Sequence, residues 1–139
     1  MPGSRDDRRT VKPPSGVFVY GSLLPGERYR AVLEALGPLV AVPARLRGWR
    51  LFVLPEGYPA AVPGSGILEG ELVEFFDLER ALRALDAFEG SDGLYRRRAL
   101  DVETPAGMRR AWAYVAEAAS VVRHGGVPWP SGRWRGRRA

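Results

Sequence analysis

Residues 17–26 read VFVYGSLLPG, an apolar run that breaks into turn formers. Val17, Phe18, Val19 and Tyr20 are too few for a buried helix and show no alternation, so they predict a strand covered on both faces. Gly21, Ser22, Leu23, Leu24, Pro25 and Gly26 then make a loop. Tyr29, Val32, Leu33 and Leu36 follow at helical spacing, and Gly37-Pro38 ends that helix. Farther along, residues 39–46, 49–54 and 67–76 read as strands separated by glycine and proline, with Gly64-Ser65-Gly66 as the turn before the last of them. Residues 78–89 are helical, and 94–103 with 108–115 form a hairpin across Thr104-Pro105-Ala106-Gly107. Strands with two helices inserted predict an α+β domain: a small mixed, barrel-like sheet with two principal helices.

Composition narrows the chemistry. The chain has 139 residues, 45% apolar and 27% charged, which suits one globular domain with a modest core. With no cysteine and a single histidine, His124, it offers no disulfide, thiolate metal site, thiol nucleophile or histidine-based triad. His124 lies in a glycine-rich stretch without partner ligands and reads as a surface residue. No metal or organic cofactor is expected. No apolar stretch approaches the roughly 18 residues of a membrane span. The charged N-terminus lacks an apolar signal core, which predicts a cytoplasmic protein without a membrane partner.

The net charge of +5 is not spread evenly. Residues 1–15 carry four basic and two acidic groups, residues 123–139 carry five arginines and no acid, and 16–122 carry 12 arginines against 14 acids. The excess sits at the ends. The chain thus divides into a flexible leader over 1–15, a domain over 16–122 and a basic Arg/Trp/Gly-rich C-terminal tail over 123–139. A basic face built into the fold would show in the middle segment, so nucleic acid is disfavoured as a partner, although Trp49, Trp112, Trp129, Trp134 and the tail arginines keep it as a lesser alternative. Nothing in the chain sets an oligomeric state.

Two features carry chemistry. At 100° per residue, Leu78, Ala81, Leu82, Leu85 and Phe88 gather on one side of the second helix, and the same count puts Glu89 about 20° from Leu78, inside that stripe. Gly90 follows as a natural terminator. A carboxylate on the core-facing side at the negative end of a helix is disfavoured in its ionised form, as a general acid/base requires. The pattern alone leaves two readings open: a last turn that frays and carries Glu89 to water, or an acid kept on the apolar side. The second feature is Tyr20-Gly21-Ser22-Leu23, where glycine lets the backbone turn sharply and aim successive N–H groups at one anion. Such junctions are also common structural turns. The loop lacks the lysine and glycine spacing of a P-loop and does not fit G-x-S-x-G. Glu69, Glu71 and Glu74 read as a solvated strand face.

Together, residues 17–26 (VFVYGSLLPG) and 85–97 (LDAFEGSDGLYRR) resemble the γ-glutamylcyclotransferase family, including its AIG2-like small members. Tyr58-Pro59 between them and WPSGRW at 129–134 are similar to that family as well, the latter with an arginine where an acid is common. The resemblance spans roughly 16–135. It implies a barrel-like α+β fold with a cavity for a γ-glutamyl group. Tyr20, Gly21, Ser22 and Leu23 match the loop that holds the substrate's α-carboxylate, Glu89 matches the catalytic acid/base, and Tyr95 matches a pocket-lining tyrosine. The implied reaction forms 5-oxoproline and releases an amine or amino acid, as a lyase or acyltransferase acting on γ-glutamyl amides. The alternative is a non-catalytic small-molecule binder of the same fold. Glu27-Arg28-Tyr29 stands where many members carry an asparagine-containing stretch, so the leaving amine stays open.

Overall fold

A computed structural model describes residues 13–89 and 93–134. The elements are β1 (Gly16–Val19), α1 (Arg30–Glu34), β2 (Leu39–Val53), β3 (Pro59–Phe75), α2 (Leu78–Glu89), β4 (Arg96–Thr104), β5 (Gly107–Val115), α3 (Ala118–Arg123) and β6 (Val127–Pro128). Most of the leader, the Gly90 stop and residues 135–139 lie outside the described residues.

The sheet closes on itself. Its order is β3-β1-β5-β4-β2-β6, and β2 pairs again with β3, so five strands form a ring and β6 extends one edge of β2. β1 runs parallel to β5 and every other pairing is antiparallel, which makes the barrel mixed. Held between β3 and β5, β1 is the strand covered on both faces: Val17, Phe18 and Val19 are all buried. Leu46, Leu51, Leu68, Leu72, Leu85 and Val102 fill the core with them, and Leu33 of α1 joins from outside the ring.

Three readings from sequence need correction. Residues 39–46 and 49–54 belong to one strand, β2, because Gly48 at φ 89° absorbs a register shift between Arg47 and Trp49 without ending the pairing. Gly64-Ser65-Gly66 is therefore no turn ahead of a strand: the three residues lie within β3, opposite that irregularity. The first helix is also shorter than the periodicity suggests; Tyr29 stays outside it and turns to another use.

The C-terminal segment packs on the barrel as far as it is described. Trp129 N–H donates to Leu51 O at 2.8 Å, Glu69 N–H donates to Gly132 O at 2.9 Å, and Trp134 is 2% exposed within the core. Each tryptophan has a neighbour: Arg97 lies 4.3 Å from the Trp112 ring centre, Arg98 5.6 Å from that of Trp49, and Trp129 5.0 Å from that of Trp134. His124 is exposed, with Nε2 2.9 Å from a Glu56 carboxylate oxygen. Among the described residues, no helix is long and apolar enough to cross a membrane.

Candidate active site

The strand that ends at Val19 delivers Tyr20 into the interior. Its hydroxyl donates to Tyr114 O at 2.7 Å and accepts from Ala61 N–H at 3.3 Å, so both hydrogen-bonding roles of a buried phenol are used. Burial, then the nearby Tyr95 and Glu89, hold its pKa well above the ordinary tyrosine value, and it remains a donor.

Gly21 is required for a reason the sequence does not carry. Its φ is not positive; a Cβ there would instead lie 2.1 Å from Pro59 Cγ. The loop can pass this close to the start of β3 only without a side chain. Beyond Gly21, the loop's bonds run through its carbonyls. Gly21 O accepts from Leu24 N–H at 2.9 Å, Ser22 O from Tyr29 N–H at 2.8 Å, and Leu23 O from Arg30 Nη1 at 3.2 Å. None of these bonds uses the N–H of Gly21, Ser22 or Leu23. Arg30 Nη1 also reaches Glu71 at 3.0 Å, tying the loop to β3. Glu71 is thus partly enclosed, unlike the solvated face read for it.

Glu89 closes α2 as its last residue, half-buried on the side that Leu85 and Phe88 share. It lines a cavity of about 200 Å³ together with Tyr20, Ser22, Leu23 and Tyr95. That is below the roughly 300–1,000 Å³ of sites for drug-sized ligands and suits a metabolite-sized group. Tyr95 is fixed by donation to Pro59 O at 2.6 Å. Five of the six residues singled out from the sequence therefore line one cavity, and Gly21 lies beside it against Pro59.

Seven further wall residues were not singled out from the sequence as site residues, among them Tyr29, Tyr58, Phe88 and Tyr114. The hydroxyls of Tyr29 and Tyr58 share a hydrogen bond at 3.0 Å, and Phe88 meets Tyr29 edge-on with ring centres 5.2 Å apart. Arg28 lies exposed over both tyrosines, 5.8 and 5.5 Å from their ring centres. Periodicity files Tyr29 and Phe88 as core. Only the pair Tyr58-Pro59 hinted at a role, through family resemblance. Among the described residues, no three His, Cys, Asp or Glu side chains group as a metal site.

A small closed barrel thus carries an acid-bearing, tyrosine-lined cavity between a strand–loop junction and a helix end, and its likeness to known proteins is to the cyclotransferase-type fold. Residues 17–136 match the model of the γ-glutamyl cyclotransferase, AIG2-like family, and the chain belongs to it. Among solved structures, it is 27% identical to an AIG2-like protein (GGACT) from Mus musculus, over 72% of this chain and 75% of that one, with a TM-score of 0.61. It is 31% identical to YtfP from Escherichia coli over 88% and 98%, with a TM-score of 0.62. YkqA from Bacillus subtilis is 26% identical over 88% of this chain, which spans only 40% of YkqA; the TM-score is 0.65. No curated protein matches the chain. Membership points to an enzyme of the cyclotransferase kind.

Proposed function

We propose that the cavity closes a γ-glutamyl group into 5-oxoproline and releases the amine or amino acid attached to it. One observation supports this reading above the others: Glu89, the single acid among the described residues of the wall, shares its cavity with Tyr20, Ser22 and Leu23 of the strand–loop junction. The loop's N–H groups, which take no part in its internal bonds, would receive the substrate's α-carboxylate. That anchor brings the neighbouring α-ammonium towards Glu89.

The α-amine of such a group is largely protonated at neutral pH and does not attack until a proton leaves. The Glu89 carboxylate takes that proton. The amine's lone pair then forms a bond to the γ-carbonyl carbon, whose C=O electrons move onto oxygen. As that carbonyl re-forms, the bond to the outgoing nitrogen breaks, Glu89 returns its proton to that nitrogen, and the surplus proton on the new ring nitrogen passes through Glu89 to the released amine, which leaves as an ammonium. Atoms and charge balance with no other reactant. Both reacting groups belong to one molecule, so holding it folded is the larger part of the task, and such ordering can lower a barrier by roughly 7–11 kcal/mol in favourable cases. Arg28, over Tyr29 and Tyr58, gives the outgoing half a cation to meet. No cofactor enters the scheme.

The test is incubation with a panel of γ-glutamyl amino acids and γ-glutamyl alkylamines, with 5-oxoproline and the released amine measured together. Equal amounts of the two products are expected. Saturable binding of the same compounds without 5-oxoproline would replace this reading with that of a non-catalytic binder.

A further inference from the structure

Among the charged residues of the motif at residues 85–97 that the proposed chemistry does not use are Asp86 and Arg97. They meet. Arg97 Nε donates to Asp86 Oδ1 at 2.9 Å and Arg97 Nη2 to Oδ2 at 3.2 Å, a two-pronged pair. The guanidinium is itself held over the Trp112 ring. Asp86 Oδ1 also accepts from the Tyr114 hydroxyl at 2.7 Å. An exposed Asp–Arg pair alone contributes little to stability. Three bonds onto one carboxylate, from two neighbouring strands, do something different: they leave it a single orientation.

Tyr114 faces both ways. Its phenol donates to Asp86, and its own carbonyl accepts from Tyr20, the residue before Gly21. Asp86 lies one turn ahead of Glu89 on α2. Two hydrogen bonds through one residue therefore connect the acid's helix turn to the start of the loop, and the register partner of Tyr114 is Arg97 itself. We propose that Asp86 is a positioning residue for Glu89, acting through Tyr114 to set the distance between that carboxylate and the 20–23 loop. Asp86, Arg97 and Trp112 all lie outside the cavity wall, whereas Tyr114 is part of it.

The proposal rests on the cavity being the site of ring closure, and steady-state kinetics on a γ-glutamyl amide separate the two. Misplacing a reacting group by about 1 Å can cost on the order of 100-fold. Asp86→Ala and Tyr114→Phe are each expected to lower kcat about 10- to 100-fold with KM within about threefold. Combining them adds less than twofold, because both remove the same link. Asp86→Asn, which keeps an oxygen for the Tyr114 hydroxyl, recovers most of the loss; a purely structural contact would show a lower melting temperature and no such pattern in kcat. Asp86→Ala at the parent kcat overturns the proposal, and a deficit in Tyr114→Phe alone assigns that hydroxyl to the substrate instead. Two losses that multiply overturn it too. Wild-type protein that yields no 5-oxoproline from any γ-glutamyl amide removes the ring-closure reading and this inference with it.

Discussion

The cavity has two walls built on different principles. The loop wall, residues 20–23, is fixed by close backbone approach and by short bonds to its own carbonyls: Gly21 against Pro59, Ser22 O to Tyr29 N–H, Leu23 O to Arg30. The acid wall is the last residue of a helix, where the backbone ladder runs out and end residues are the first to fray. It is steadied one turn earlier, at Asp86, by side chains from β4 and β5. The loop is held by its neighbours in sequence and by one strand beside it. A single carboxylate that must stay aimed needs bonds from distant parts of the chain.

That contrast can be broken most sharply at Glu89 itself. Glu89→Gln keeps the shape and removes the proton acceptor, so kcat should fall about 10²–10⁴-fold while the melting temperature and ligand affinity stay close to the parent's. If 5-oxoproline forms at the parent rate, Glu89 is not the acid/base. On the loop wall the expected response has the opposite character. Gly21→Ala drives a methyl into Pro59 and should cost about 1–3 kcal/mol of unfolding free energy, measured by denaturant titration, with KM raised because the loop must move. Normal stability in that variant would show that Pro59 yields freely.

Arg30→Met sharpens the comparison with a smaller effect. It removes the donor to Leu23 O and leaves the partly enclosed Glu71 without its cation, an expected loss of about 1–2 kcal/mol with KM rising more than kcat falls. A fall in kcat alone would mean that Arg30 serves the chemical step. The smallest effect belongs to the rim. Arg28→Ala should raise KM by about twofold to fivefold for substrates whose outgoing half carries a carboxylate and leave uncharged alkylamides unaffected, as suits an exposed ion pair. An equal change for both substrate types would assign Arg28 to the tyrosines and not to the ligand.

Much of the acid wall could be read in advance, because its geometry is local. The 3.6-residue period that gathers Leu78, Leu82 and Leu85 also sets the direction of Glu89, and α2 ends at that residue. The β4–β5 hairpin was legible for the same reason, with its turn residues between two short runs. The long strands were not. Gly48 and the glycines at 64 and 66 read as breaks, whereas in the barrel they face one another across an irregularity and the pairing continues. Tyr29, Tyr58 and Tyr114 were invisible as a group, since residues so far apart in the chain come to one cavity wall only when the sheet closes.

What the sequence determined alone was the class of domain, the excluded chemistries and the face of the helix from which an acid would look inward. Those follow from composition and from periods that act over a few residues. What only the tertiary structure decided was why residue 21 must lack a side chain, which tyrosines wall the cavity and how Asp86 is held. Each of these depends on contacts between residues tens of positions apart, and such distances are set by closure of the sheet rather than by any local preference.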